Sequence, residues 1–165
     1  MKVNVSDLVV NKSLHKKIDL RECLENIDFG GNEFKFIEPV IIQGEMTVEN
    51  QVFKLEGNIR IKVELNCDRC TKSFEQEMDI LLDESFSNQE DSSEDICFFS
   101  GKEIELTNII RDNIISNIPM KMLCSDDCEG LCDVCGCNKK RQKCSCKHEE
   151  YDPRLEALLK LKNNL

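Results

Sequence analysis

Asn58-Ile59-Arg60-Ile61-Lys62-Val63-Glu64-Leu65-Asn66-Cys67-Asp68-Arg69-Cys70 is the stretch on which the fold turns. Ile59, Ile61, Val63 and Leu65 alternate strictly with Asn58, Arg60, Lys62 and Glu64, the period of a strand with one face buried and the other in water. That strand delivers Cys67 and Cys70 at its end. A second alternating run, Phe74, Met78, Ile80 and Leu82, follows directly, so the spacing predicts a hairpin tipped by a Cys-x-x-Cys turn. Upstream, Val40-Ile41-Ile42 and Met46-Thr47-Val48 flank Gly44, and Val52-Phe53-Lys54-Leu55 leads through Gly57 into the long strand. The result is an antiparallel sheet whose apolar face needs a cover. Leu106, Ile110, Ile114 and Ile118 recur at helical spacing and predict that cover over about residues 106–118, with Thr107 as its cap and Pro119 as its stop.

The remaining segments say less. Residues 2–5 and 34–37 alternate weakly, with Gly30-Gly31 as a break. Residues 85–95, acidic and rich in serine, have little to bury and read as a mobile loop or linker. Near the end, Asp152 caps, Pro153 opens, and Leu155, Leu158, Leu159 and Lys162 continue a second helix. Its acids come early, and Lys160 and Lys162 come late, which suits the helix dipole.

Seven of the eleven cysteines lie in residues 124–146: Cys124, Cys128, Cys132, Cys135, Cys137, Cys144 and Cys146. Either a disulfide framework or tetrahedral thiolate ligation of zinc would gather thiols this densely. The odd total fits disulfides poorly. Cys132-x-x-Cys135-Gly136 places two sulfurs on one tight turn, and Cys144-x-Cys146 supplies a second pair after a short loop, the layout of a four-sulfur ribbon. Cys124 and Cys128 are then left over, just past the predicted helix, and Cys67 and Cys70 lack two partners. The expected partition is Cys67, Cys70, Cys124 and Cys128 on one zinc, and Cys132, Cys135, Cys144 and Cys146 on a second. Cys137 and His148 are the alternative ligands for the ribbon. Cys23 and Cys97 read as small hydrophobes or surface thiols. The expected fold class is therefore α+β: an antiparallel β-sheet packed by one or two helices, with a C-terminal cysteine-rich zinc ribbon. The expected domains are residues 1–123, the β domain with its covering helix, and residues 124–165, the zinc-binding tail with the last helix.

A chain of 165 residues can hold one real core, here aliphatic, with eight phenylalanines, one tyrosine and no tryptophan. No secretory signal and no membrane-spanning run is apparent, so the expectation is a soluble, cytoplasmic protein, where reducing conditions favour metal over disulfides. Net charge is −10, and two four-thiolate zinc sites would take it to about −14. Such a chain is no generic nucleic-acid binder. Its charge is uneven, however: residues 83–95 hold six acids and no base, whereas Lys139, Lys140, Arg141 and Lys143 form a basic run without an acid. That run reads either as a solvated loop offsetting thiolate charge or as an RNA or partner contact.

Catalytic patterns are missing. His15 reads as a surface or edge-strand residue, and His148-Glu149 lacks the His-x-Glu plus Pro-Cys-x-x-Cys pattern of zinc deaminases. Phosphate loops and nucleophile elbows are absent, and all-cysteine zinc sites are usually closed. A redox pair at Cys67 and Cys70 would call for a helix N-terminus behind it, and a strand pattern follows instead. The expectation is a non-enzyme.

Taken together, Cys67-Asp68-Arg69-Cys70 after a strand, Glu84-Ser85-Phe86, Ile104-Glu105-Leu106, Ile118-Pro119, Leu123-Cys124-x-x-x-Cys128-Glu129-Gly130-Leu131-Cys132-x-x-Cys135-Gly136, Cys144-x-Cys146 and Asp152-Pro153-Arg154 resemble the YceD family. Family members typically continue Asn-Leu-Asn after the Cys-Gly, where this chain has Cys137-Asn138-Lys139. The resemblance implies a role in accumulation and processing of 23S ribosomal RNA and in large-subunit assembly. It also implies association with a small zinc-bearing ribosomal protein, with precursor 23S RNA, or with both. No membrane and no small-molecule substrate enter that picture. The reading from another class is a zinc-dependent protein-interaction adaptor without a ribosomal role, and a thiol redox protein is the third.

Overall fold

The computed structural model describes residues 1–10, 15–89, 96–140 and 142–146, the side chains of Val9 and Val10 excepted. The predicted C-terminal helix, His148 and Arg141 lie outside the described residues. The elements in order are β1 (Lys2–Asn4), α1 (Ser6–Val10), β2 (His15–Glu22), β3 (Ile27–Phe29), β4 (Asn32–Phe36), β5 (Val40–Glu49), β6 (Val52–Asn66), β7 (Ser73–Ser87), β8 (Ile96–Phe98), β9 (Glu103–Glu105) and α2 (Thr107–Ser116).

The fold is mostly antiparallel β-sheet. Strands β6 and β7 form a hairpin paired from Val52↔Ser87 to Asn66↔Ser73. The other side of β6 carries β5 along its first half and β4 near its end, and β2 lies outside β5. Strand β8 adds in parallel to the end of β7, and β1 pairs with β9 in a separate small sheet. Gly44 faces Gly57 across β5 and β6, so close that a Cβ on either would lie 2.4 or 2.3 Å from a carbonyl oxygen of the other strand. A side chain at either position would part the strands there.

The predicted alternation holds along β6: Ile59, Ile61, Val63 and Leu65 are buried, while Asn58, Arg60 and Glu64 are exposed. Their buried face joins one apolar cluster with Val40, Ile42, Met46, Leu55, Ile80, Leu82 and Phe86. Leu106, Ile110, Ile114 and Ile118 are buried in that same cluster. Phe53 and Phe99 meet in it edge to face, 5.3 Å between centroids.

Two expectations need correction, and one strand has no counterpart in the sequence reading. Thr107 is the first helical residue of α2 rather than its cap, Leu106 holds the cap position without a side-chain bond, and Thr107 Oγ1 accepts from the Met1 nitrogen at 2.6 Å. Ser85, Phe86 and Ser87 continue β7 instead of opening a loop, because Phe86 and Ser87 are both buried. Strand β2 was not anticipated: only Ile18 is buried along it, so its apolar signal is faint. His15, read as a surface or edge-strand residue, is the exposed first residue of that outer strand. Among the described residues no helix is long and apolar enough to cross a membrane.

Candidate metal centres

The hairpin β6–β7 reverses through Cys67-Asp68-Arg69-Cys70-Thr71-Lys72. Cys67 N donates to Lys72 O at 2.9 Å, and Thr71 N donates to Cys67 O at 2.8 Å. Closing this turn puts Thr71 at φ 55°, a left-handed conformation that a β-branched residue rarely adopts. The turn faces the segment that follows α2. Cys67 Sγ lies 3.8 Å from Cys128 Sγ, and Cys70 Sγ lies 3.6 Å from Cys124 Sγ. All four sulfurs lie within 4.8 Å of one another. Cys67, Cys70 and Cys128 are buried, and Phe74 and Leu123 pack against them.

The two residues between Cys67 and Cys70 do the joining. Asp68 N donates to Met122 O at 2.8 Å, and Met122 N donates back to Asp68 Oδ2 at 2.6 Å, which holds the chain just ahead of Cys124. Arg69 Nη1 donates to Cys128 O at 2.7 Å, and Leu131 N donates to Arg69 O at 3.2 Å. Gly130 sits between these bonds at φ +79°, where a Cβ would approach Arg69 O to 2.9 Å. Glycine alone meets both demands without strain. Asp68, Arg69 and Gly130 carry the family resemblance in the sequence, but the sequence alone assigns them no role. Their local signal is that they flank or separate cysteines.

The second cluster is more local. Gly136 N donates to Cys132 O at 2.8 Å, closing the Cys132-to-Cys135 turn, and Cys132 N donates to Cys137 O at 2.7 Å. The amides of Val134 and Cys135 point at Cys132 Sγ from 3.4 and 3.5 Å. Cys144 Sγ closes the group, 3.4 Å from Cys132 Sγ and 3.8 Å from Cys135 Sγ. Cys132, Cys135, Cys144 and Cys146 again lie within 4.8 Å of one another, but only Cys132 is buried. Cys137 is half-buried beside Cys135 and outside the quartet. Cys97 is half-buried on β8, and Cys23 is exposed.

A tetrahedral metal with bonds to sulfur of about 2.3 Å has sulfur–sulfur edges of about 3.8 Å. A disulfide would need about 2.05 Å. Four of the separations, 3.4–3.8 Å, lie close to the tetrahedral edge, and every pair within a quartet lies inside 4.8 Å. Electrostatics argue the same way. Burial pushes the Cys67 thiol up, but hydrogen bonds from the amides of Cys124, Cys70 and Arg69 outweigh it and hold the thiol at about 6. The Cys124 thiol, hydrogen-bonded to Cys70 and partly buried, is pushed up to about 12. In the second cluster the Cys137 amide and thiol hold Cys135 at about 6, while hydrogen bonds to Cys144 and Cys135 raise Cys146 to about 12. One thiolate thus forms readily in each group and opposes the next. A bound cation removes that opposition, so each quartet could hold a metal ion.

The basic run is partly engaged. Lys140 Nζ pairs with Asp127 at 2.6 Å and donates to Ser125 Oγ at 3.3 Å, which ties the ribbon loop to the turn between Cys124 and Cys128. Lys139 Nζ lies 3.9 Å from Asp133 Oδ1, and Lys143 is exposed.

The family model described as "Large ribosomal RNA subunit accumulation protein YceD" matches residues 55–162, from strand β6 through both cysteine clusters. Two curated relatives carry the printed name "Large ribosomal RNA subunit accumulation protein YCED homolog 1, chloroplastic". The one from Arabidopsis thaliana is 25% identical over 146 residues, 69% of this chain and 46% of its own length. The one from Zea mays is 26% identical over 143 residues, 66% of this chain and 49% of its own length. The chain therefore spans about half the length of the curated relatives it matches. No solved structure matches it significantly. With the match covering the hairpin, the helix and both sulfur clusters in one continuous span, the chain belongs to the YceD family.

Proposed function

We propose that this protein is a non-catalytic, zinc-binding factor that supports accumulation and processing of large-subunit (23S) ribosomal RNA during ribosome assembly in the cytoplasm. The observation that carries the reading is the pair of four-sulfur clusters at tetrahedral spacing within a family whose printed description concerns large ribosomal RNA. Zinc suits them because it takes four thiolates without a preference for planar geometry and without redox chemistry. A zinc enclosed by four protein sulfurs keeps no open position for substrate, which supports a structural role. The partners are precursor 23S RNA, a large-subunit ribosomal protein, or both. The acidic sheet suits a basic protein, and the ribbon loop with Lys139, Arg141 and Lys143 suits phosphate.

Two measurements test this. Native mass spectrometry of the reduced protein is expected to find two zinc ions per chain; disulfides in place of metal would overturn the cofactor assignment. Co-sedimentation with precursor large subunits is expected for the intact protein and to weaken several-fold for Lys139→Gln with Lys143→Gln, two cations outside the Asp127 pair. Unchanged association would remove the loop from RNA contact. Failure of the intact protein to associate at all would leave the zinc-dependent adaptor as the reading.

A further inference from the structure

Among the described residues, strand β7 leaves one edge open. Its full length pairs with β6, but β8 covers its other side only at Ser85, Phe86 and Ser87. Over residues 73–84 no described strand or backbone group bonds to that outer edge. An uncovered edge presents N–H and C=O groups to any strand that can lie beside it.

The side chains along the edge specify what kind of strand. On the solvent face stand Glu75, Glu77, Asp79 and Asp83, all exposed, with Leu81 80% exposed among them. On the other face Phe74 and Met78 are half-buried against the core. Strand β6 already sets cations against the acids: Lys62 against Glu75 at 3.1 Å, Arg60 against Asp79 at 2.9 Å, and Lys54 against Asp83 at 3.3 Å. Glu77 has no cation within 4.0 Å among the described residues. A further strand carrying cations would give Glu77 a positive neighbour and place Glu75, Asp79 and Asp83 each between two, the favourable cross-strand arrangement.

We infer that the outer edge of β7, over residues 73–84, docks an extended cationic protein segment that joins the sheet as an added strand. The segment alternates basic side chains over Glu75, Glu77, Asp79 and Asp83 with apolar side chains beside Phe74 and Met78. Backbone bonds supply attachment, and the acids select the partner. A second copy of the chain is the wrong occupant, because antiparallel pairing centred on Asp79 sets Asp79 against itself and Glu75 against Asp83. RNA is excluded by the sign of its charge. The chain's own residues 90–95 include Glu90, Asp91, Glu94 and Asp95 and no cation, so they are repelled as well. The inference rests on the sheet alone and goes beyond the RNA reading, so either can fail without the other.

The test uses the full, zinc-loaded chain and a fluorescent ten-residue peptide of alternating lysine and valine, followed by anisotropy at about 0.1 M salt. Saturable binding is expected. The same peptide with alternate amides N-methylated keeps its charge but cannot form strand bonds, and is expected to bind at least about tenfold more weakly. Glu77→Lys, an exposed change whose folding is checked by its melting curve, is expected to weaken the parent peptide by about tenfold. Absence of binding overturns the proposal. So does equal binding of the methylated peptide, which would reduce the effect to charge attraction, and so does indifference to Glu77→Lys, which would place the peptide elsewhere.

Discussion

The two sulfur clusters use the same chemistry in opposite settings. Cys67 and Cys128 stand 61 residues apart and Cys70 and Cys124 stand 54 apart, yet their sulfurs meet in a buried site at the junction of the hairpin and the segment after α2. Cys132 and Cys144 are only 12 apart, and their cluster is made by neighbouring turns and left largely open to water. A long-range cluster closes a large loop and orders two parts of the molecule, so a metal held there would act on the whole fold. A local cluster orders little beyond its own turns. Bonds through Arg69, Gly130 and Lys140 run between the two settings and decide how far they are independent.

Acid should have the largest effect, because it acts on both clusters. Cys67 and Cys135 are held at about 6, so stabilisation of their thiolates is complete above the ordinary thiol pKa of about 8.5 and is lost as pH falls through about 6. Metal release, followed with a chromogenic chelator, is therefore expected only below that value, because a bound cation holds the thiolates against protonation and moves the release to lower pH. Sites that keep their metal well below pH 5 would show that thiol protonation does not govern them.

Single-ligand variants come next and test the contrast directly. Cys128→Ser is expected to lose one metal and about 4 kcal/mol, seen as a melting temperature lower by about 10 °C. Cys135→Ser should also lose one metal but move the main transition by no more than about 2 °C. Equal losses from the two variants would break the comparison.

Gly130→Ala should fall between these. The left-handed backbone and the approach to Arg69 O predict a cost of about 1–3 kcal/mol, with both metals still bound in excess zinc. A neutral result by thermal melting would mean that the Arg69 contact does not constrain the ribbon. Lys140→Ala should matter least, with no resolvable change in melting, since its pair with Asp127 is exposed. Its informative readout is zinc affinity at the second cluster with the first filled: a drop there, without a change in melting, would show that the clusters communicate through this contact.

Much of this was readable along the chain. The β6–β7 hairpin follows from alternation on either side of Cys67 and Cys70, and the buried face of α2 follows from Ile110 and Ile114, with Leu106 and Ile118 buried just outside its two ends. The grouping of Cys67 and Cys70 with Cys124 and Cys128 came from counting sulfurs left over, and these are the sulfurs that lie together. Strand β2 was faint because its single buried residue leaves no pattern to read. Thr107 looked like a cap because residue type signals a cap, whereas which residue takes that position depends on how β9 enters the helix.

What the sequence determined by itself is local: the period of each strand, the stripe of the helix and the two Cys-x-x-Cys turns, since each depends on neighbours a few residues away. The tertiary structure alone decided that Asp68 and Arg69 clasp the chain around Cys124 and Cys128, that Gly130 must be a glycine, and that no described strand covers the acidic outer edge of β7. Those outcomes depend on which distant backbone groups arrive within hydrogen-bond reach, and on which edge of a strand is left without a neighbour. Both are properties of strand order and packing that no stretch of residues carries alone.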